Sequence, residues 1–388
     1  MNTRPLPKFV DPTGSEPAEP QKAEVAPLRE KVESIVKTGL CSLQPIVDLL
    51  GMEGSQDLAL RDMAHAVRRK SVGNRIHFRG IVELSNLCIK NCYYCGIRRE
   101  NSEVERFSLS HEQILEAALW AHDHRYGSVV LQSGERTDER FVSFVEGVVR
   151  DIKRLSAGRL GVTLSMGEQT SETYARWLAA GAHRYLLRIE TSSRDLYGKL
   201  HPSDHSFDAR VRCLRDLRRL GYQVGTGVMI GLPGQSLQDL AADILFFRDL
   251  DVDMLGMGPY VLHDATPLAR EVDNSEQGRA RRLALALRMI AVARLAMPDI
   301  NIASTTALQA LHPLGREKGL MAGANIIMPI ITPTEFRRHY QLYQGKPCVE
   351  DDAGQCQQCL ERRIHSTGDV IAYSEWGDSP RALTRHPR

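Results

Sequence analysis

The stretch IHFRGIVELSNLCIKNCYYCGIRR, residues 76–99, runs from an apolar β-type segment straight into three closely spaced cysteines. Cys88, Cys92 and Cys95 follow the spacing C-x3-C-x2-C, with Tyr94 just before the last, so one short loop can turn three sulfurs toward a common centre. Structural zinc usually takes four protein ligands in two separated pairs, and an ordinary four-iron cluster takes four cysteines. A loop that offers three leaves a metal position open to a non-protein ligand. The alternative is a zinc knuckle completed by a distant His or Cys.

Working outward, the segment before the cysteines is the first of eight strand-like runs: IHFRGIVEL, GSVVLQSG, GVTLSMG, HRYLLRIE, YQVGTGVMIG, DMLGMGPY, NIASTT and ANIIMP. Helical patterns separate them, among them SHEQILEAALWAHDHR, RFVSFVEGVVRDIKRL and FDARVRCLRDLRRLG. Regular strand–helix alternation predicts parallel strands joined by right-handed crossovers, and eight units close most economically as an α/β fold of the (βα)8 TIM-barrel type. An open doubly wound sheet is the second choice, since no G-x-G-x-x-G follows the first strand. Such a barrel carries its chemistry at the carboxyl ends of its strands. Polar residues and glycines collect there, at Ser85 and Asn86, Gln132 to Glu135, Ser165 to Glu168, Arg188 and Glu190, Gly258 to His263, and Ser304 to Thr306.

The remaining sequence sets the limits. At 388 residues, with a net charge of +2 and 42% hydrophobic residues, the chain reads as an ordinary soluble protein with no electrostatic footprint for nucleic acid. Residues 1–26, rich in Pro and Glu, predict a disordered tail. Residues 27–75 predict a helical N-terminal extension with Ser55 as an N-cap, 76–345 the barrel, and 346–388 a C-terminal extension that ends irregularly. No apolar signal-peptide core opens the chain, and the most apolar later stretch, LALALRMIAVARLAM (283–297), is interrupted by Arg288 and Arg294. A cytoplasmic protein with no membrane partner is expected. Six of the eight cysteines fall in two clusters, at 88–95 and 348–359, which in a reducing compartment points to metal ligation rather than disulfides. Cys41 and Cys213 stand alone in helical patterns and are expected to be buried packing residues.

An iron–sulfur cluster held by three thiolates leaves one iron able to bind a chelating small molecule through nitrogen and oxygen, as an α-amino acid can. A Ser-Gly-Glu strand end suits the amine, and Arg188 or Arg210 suits the carboxylate. The loop CIKNCYYC resembles the C-x3-C-x-aromatic-C signature of radical S-adenosylmethionine (SAM) enzymes, and Ser133-Gly134-Glu135 stands where they have Gly-Gly-Glu. More narrowly, residues from about 55 to 365 resemble the HydE family, radical SAM enzymes of [FeFe]-hydrogenase maturation. The resemblance lies in the ordered series IVELSNLCIKNCYYCGIRR, VVLQSGE, VTLSMGE, RYLLRIETSS, GLPGQSLQDL, DVDMLGMGPYVLHDATPLA, ASTTALQA and GANIIMP. One segment departs, with His263 and Asp264 where members often have a proline-histidine-proline run.

The resemblance implies that Cys88, Cys92 and Cys95 hold a [4Fe-4S] cluster to which SAM binds. Tyr94 would lie near the adenine, Ser133, Gly134 and Glu135 would face the methionine amino group, and Ser165, Arg188, Glu190 and Arg210 would hold its carboxylate and the ribose. Thr163, Thr305 and Thr306 would sit deeper, where the family binds small substrate carboxylates or anions. The implied reaction is reductive cleavage of SAM to a 5′-deoxyadenosyl radical that acts on an organometallic iron precursor, with no catalytic side chain beyond the cluster and SAM. Cys348, Cys356 and Cys359 match the spacing of an accessory iron–sulfur cluster, [2Fe-2S] or [4Fe-4S], that only some members have. Zinc completed by His365 is the alternative there. An electron donor and other hydrogenase maturases are the implied partners. Two rivals stand: a biotin-synthase-like or methylornithine-synthase-like enzyme acting on a small amino-acid-derived substrate, and a non-catalytic iron–sulfur carrier or scaffold. The accessory cysteines argue against the first, the ring of polar strand ends against the second.

Overall fold

The computed structural model describes residues 22–37 and 39–385. Its frame is eight strands: β1 Arg75–Ser85, β2 Ser128–Ser133, β3 Gly161–Ser165, β4 Arg184–Leu186, β5 Gln223–Thr226, β6 Met254–Leu255, β7 Asn301–Ile302 and β8 Ile326–Ile327. Their apolar, β-branched runs suit strands covered on both faces; Val129, Val130 and Leu131 in β2, and Val162 and Leu164 in β3, are fully buried. The order is β8-β1-β2-β3-β4-β5-β6-β7, with every neighbouring pair parallel. The ring closes between β7 and β8: Ala303 bridges to Ile326, the Asn325 N–H donates to Ile302 O, and the Ser304 N–H to Ile326 O, both at 2.9 Å. The expected (βα)8 barrel is present. Beyond β5 and β6 the chain pairs again at Met229–Ile230 and Gly258–Pro259, which raises that side of the wall toward the mouth.

The crossover helices follow the three- and four-residue spacing of their apolar positions. Glu139–Leu155 buries Phe141, Val142, Val145, Val148, Val149 and Ile152, and it starts at Asp138, whose carboxylate accepts the Phe141 N–H at 3.0 Å. The helix Glu276–Ala296 is instead buried around most of its circumference, because the N-terminal helices Leu43–Leu50 and Gly54–Ser71 pack over its outer side. Its Arg294, fully buried, donates to the carbonyls of Gly323, Pro298 and Ile300 at 2.8–2.9 Å. The apolar stretch 283–297 is therefore a core helix; among the described residues no helix is long and apolar enough to cross a membrane.

Several expectations change. Helix Lys22–Lys37 already includes residues 22–26, which the sequence suggested as part of the tail; the expectation of disorder for residues 1–21 lies outside the described residues. The third N-terminal helix begins at Gly54 with Glu53 as its N-cap, so Ser55 lies in the first turn. Cys41 falls in the turn before Leu43–Leu50, not in a helix, and is exposed, with its Sγ 3.0 Å from Arg248 Nη2. Cys213 is half-buried, its thiol 3.6 Å from Gln169 O.

The segment after residue 369, read as irregular at its end, closes the barrel floor. Val370–Ile371 pairs in parallel with the first residues of β1. Gly377 O accepts from Arg79 Nη2 and from Asn301 Nδ2, each at 2.8 Å, while Arg184 donates to Trp376 O at 2.6 Å and pairs with Asp378. These are polar groups at the amino ends of strands, inside the ring and out of reach of bulk water, and the tail supplies the partners that burial demands. The mouth is left as the end where chemistry can enter.

Candidate active site

A cavity of ≈ 240 Å³ occupies the carboxyl end of the barrel. Its wall takes Tyr94 and Cys95 from the loop after β1, Ser165 from the end of β3, Arg188 and Glu190 from the segment after β4, and Thr305 and Thr306 from the segment after β7. Cys88 and Cys92 lie in the loop beside it, bordered by Ser133, Gly134 and Glu135 at the end of β2 and by Arg210. Thr163 stands apart: it borders a small void beneath the cavity, with Arg79, Arg184 and Asn301.

The cysteine loop is tied down on all sides. Its Ile89 N–H donates to Glu135 O (2.9 Å), and the Glu135 N–H donates back to Cys88 Sγ (3.3 Å). The Asn91 N–H donates to His205 Nε2 (3.0 Å), the Tyr93 N–H to Leu200 O (2.9 Å), and the Gly96 N–H to Leu342 O (2.9 Å). Tyr94 Oη lies 3.3 Å from His201 Nε2, and His201 Nδ1 lies 2.9 Å from Tyr197 O. With Nδ1–H donating to that carbonyl, the ring presents an acceptor to Tyr94. The segment Tyr197–His205 thus clamps the loop from outside. No pattern in it singles out His201 or His205 beforehand, because their partners lie more than a hundred residues upstream.

The donor set fits an iron–sulfur cluster. Burial, with the neighbouring sulfurs adding to it at Cys92 and Cys95, pushes all three thiols above their usual range, Cys92 to about 12. Three thiolates facing one another in a buried loop need a cation to exist. Among the described residues no three His, Cys, Asp or Glu side chains gather tightly enough for one metal ion. Three thiols on one short loop suit a polynuclear cluster, where each takes its own iron.

Beside the loop lies a carboxylate pair. The Glu168 N–H donates to Glu135 Oε2 at 2.9 Å, Lys90 Nζ sits 2.8 Å from Glu168 Oε2 and 3.3 Å from Glu135 Oε1, and Arg210 Nε sits 2.6 Å from Glu168 Oε1. Burial raises Glu135, while Glu168, also raised by burial, is held below its usual range by Arg210 and Lys90. The close approach is possible because residue 167 is glycine: a Cβ there would stand 2.2 Å from Glu135 Oε2. Gly134 is equally constrained, since a Cβ would stand 2.3 Å from Leu87 O and 2.9 Å from Cys88 Cβ. Gly134→Ala is expected to displace the cysteine loop and lose most of the reconstituted iron while the barrel stays folded, measured as iron per chain alongside circular dichroism.

On the opposite wall Arg188 Nη2 pairs with Glu190 Oε2 at 2.9 Å, and Glu190 holds a left-handed backbone, φ +66°. The turn that follows is pinned by Asp243, whose Oδ1 accepts from Ser192 N (2.6 Å) and Ser192 Oγ (2.7 Å). Burial raises this carboxyl to about 7. The folded state therefore keeps a proton that the unfolded chain releases near pH 4, and stability falls as pH rises through that interval. Asp243→Asn retains the acceptor oxygen and is expected to flatten the pH dependence of the melting temperature between about pH 4 and pH 7.

The chain is similar to characterised proteins over most of its length. Residues 82–247 match the model of the radical SAM superfamily. The [FeFe] hydrogenase maturase subunit HydE of Thermotoga maritima is 43% identical over 84% of this chain and 90% of its own length. The chain belongs to the HydE family of radical SAM enzymes. A 3-methylornithine synthase of Methanosarcina acetivorans is more distant, 27% identical over 77% of this chain and 82% of its own. Among solved structures, a methylornithine synthase superposes with a TM-score of 0.74 at 25% identity, covering 89% of this chain and 98% of that one. The HydG maturase of Carboxydothermus hydrogenoformans shares the fold, with a TM-score of 0.74 at 20% identity over 91% of this chain and 80% of its own. Radical SAM chemistry in the HydE family rests on a [4Fe-4S] cluster and SAM, which agrees with the donor set of the loop.

Sequence patterns do not announce every residue of this HydE-family cavity. Glu83, near the carboxyl end of β1, and Lys346, in the C-terminal segment, line it together, with Lys346 Nζ 2.5 Å from Glu83 Oε1 and 2.9 Å from Tyr340 O. Tyr343 Oη lies 2.5 Å from Thr306 Oγ1. Met229 and Met328 line the cavity, whereas Met166, Met254 and Met257 are buried in the core.

Three further cysteines follow β8 in the chain. Cys356 and Cys359 lie one turn apart on helix Ala353–Ser366, the first buried and the second exposed, and Cys348 precedes them with a left-handed φ of +62°. A hydrogen bond between Cys348 and Cys356 holds Cys348 below the usual thiol range and pushes Cys356 above it. His365, the alternative fourth ligand for zinc, is exposed, six residues beyond Cys359 along the helix. Six residues is about 240° of helical rotation, a different face.

Proposed function

We propose that the protein acts in [FeFe]-hydrogenase maturation, processing a small iron-containing precursor of the di-iron site in the barrel cavity. The observation that carries this reading is the combination of the 43% identical HydE relative with a donor loop and cavity at the same barrel mouth. When bound at Cys88, Cys92 and Cys95, a [4Fe-4S] cluster with SAM supplies reductive cleavage of the sulfonium to a 5′-deoxyadenosyl radical.

The chain's own groups take the remaining roles. Glu135, with Ser133 and Gly134, receives the methionine ammonium, an assignment favoured by the buried carboxylate pair it forms with Glu168. Arg210, Arg188, Glu190 and Ser165 orient the carboxylate and ribose, and Tyr94 flanks the adenine. Thr305 and Thr306, with Tyr343 bonded to Thr306, offer hydroxyls to an anionic or carboxylate-bearing substrate; Thr163, a layer below, supports the floor. The closed floor and the buried wall keep water from a reactive radical. Cys348, Cys356 and Cys359 hold an accessory iron–sulfur cluster with no essential part in the radical step. In this division of labour the N-terminal helices buttress the barrel, residues 76–345 carry the chemistry, and 346–388 carry the second metal site. An electron donor and other maturases are the partners, and the clustered free thiols suit the cytoplasm.

The test is an in vitro maturation in which hydrogenase apoprotein and every other maturase are present and this protein is the missing component. Hydrogenase activity on its addition is expected. Formation of 5′-deoxyadenosine without any hydrogenase activation would instead favour a carbon-skeleton mutase, as in the methylornithine synthases.

A further inference from the structure

Arg316 is 2% exposed, and its Nε, Nη1 and Nη2 have no hydrogen-bond partner among the described residues. An isolated guanidinium cannot shed its charge, so burying one without a counter-charge costs several kcal/mol. The surroundings indicate what the counter-charge is. Arg316 lies on the short helix Gly315–Met321, and its own carbonyl accepts from Ser304 Oγ (2.7 Å), a residue of the cavity wall. The next residue, Glu317, pairs with Arg363 at 2.5 Å, and Arg363 also donates to Pro313 O, which docks this helix on Ala353–Ser366. The Arg316 charge reaches Cys348 and Cys356, and it also reaches Tyr343 on the side of the cavity.

A second guanidinium bounds the same space. Arg337 is 1% exposed and donates to the carbonyls of Thr332 (2.6 Å), Cys348 (3.2 Å) and Asp351. Neutral carbonyls satisfy its hydrogens, and its charge acts on Cys356 and Cys348 as well as on the carboxylates of Glu83 and Asp351. Arg363, the third arginine near these cysteines, is already balanced by Glu317. Cys348 and Cys356 thus lie within reach of two buried guanidiniums, of which Arg316 has no hydrogen-bond partner among the described residues, an arrangement complementary to thiolates and to the net negative group they would form on binding iron–sulfur.

We propose that Arg316 is the charge partner of the accessory site: its guanidinium balances the iron–sulfur group bound by Cys348, Cys356 and Cys359 and sets its reduction potential. The inference rests on the reading of those cysteines as an iron–sulfur site. Arg316 acts through charge at close range, as a positioning and tuning residue, and takes no part in the radical step. A buried cation beside a cluster favours the reduced, more negative state, so its loss lowers the potential.

The experiment uses the full chain carrying Cys92→Ala, so that bound iron reports the accessory site. Reconstituted under anaerobic conditions, this parent is compared with versions that also carry Arg316→Lys, Arg316→Gln or Arg316→Met, by iron per chain and by redox titration followed by electron paramagnetic resonance. The parent is expected to bind iron–sulfur. Gln and Met are expected to move the midpoint to more negative potential and to retain less iron, and Lys to stay near the parent. A midpoint unchanged in Arg316→Gln and Arg316→Met overturns the proposal while leaving the iron–sulfur reading intact. A parent that binds no iron–sulfur overturns that reading, and this proposal with it. If Met unfolds the chain, Gln, which keeps polar donors without the charge, decides.

Discussion

Cys92→Ala is expected to abolish formation of 5′-deoxyadenosine, whereas Cys356→Ala retains most of it. The reason is coordination arithmetic applied to two different places. In the loop after β1, three thiolates are already the minimum that leaves one metal position open, and removal of the middle one leaves two sulfurs in a buried loop whose thiols are costly to ionise. Nothing nearby replaces it: Lys90, Arg210, His201 and His205 are engaged with Glu168, Glu135, Tyr197 and Asn91. Iron bound at the loop and SAM cleavage should vanish together. Cys356 sits on a helix beyond the last barrel strand, against Cys348 and away from the loop, so its loss should remove iron without removing the product. Iron and 5′-deoxyadenosine assayed on the same preparations check both halves. Equal loss of product in the two variants would show that the second site takes part in the radical step.

Lys346→Met is expected to destabilise the fold by about 3–5 kcal/mol, the usual consequence of leaving one member of a buried ion pair alone. Glu83 is 3% exposed and burial already raises its carboxyl, with Lys346 as the main opposing influence. Without the lysine, the folded state would hold a proton on Glu83 at pH values where the unfolded chain has released it. Stability of the variant should therefore fall as pH rises above the ordinary glutamate value near 4.5. Near pH 4.5 and below, the penalty should be small. The double variant Glu83→Gln/Lys346→Met removes both charges and should recover most of the loss. Denaturant midpoints at pH 5 and pH 8 for the four proteins of this cycle measure the effect. An additive double variant would mean that the pair is not coupled.

The strands were legible because most are short apolar runs ended by Gly, Ser or a charged residue, and the alternation with amphipathic helices left few other closures. The cysteine loop was legible because its ligands are neighbours in sequence. What escaped notice is long-range. Lys346 reaches Glu83 across 263 positions, and Arg363 reaches Glu317 across 46; no local pattern connects either pair. The same holds for the tail: AYSEWGDSPRALTR carries no strong period, yet Gly377 and Asp378 meet Arg79 and Arg184 at the floor. Thr163 shows a subtler limit. Period-two alternation puts it on the same face as Ser165, but two residues of strand rise is roughly 6.6 Å, enough to set it a full layer below. Sequence reveals which face a side chain takes more readily than how deep it lies.

The central claim is that this barrel performs reductive SAM cleavage at the loop of Cys88, Cys92 and Cys95. The most direct measurement is 5′-deoxyadenosine formed by the wild-type chain after anaerobic reconstitution with iron and sulfide, given SAM and a strong reductant. The account predicts that 5′-deoxyadenosine accumulates with the cluster loaded and is absent without it. A fully iron-loaded protein that yields none would contradict the account.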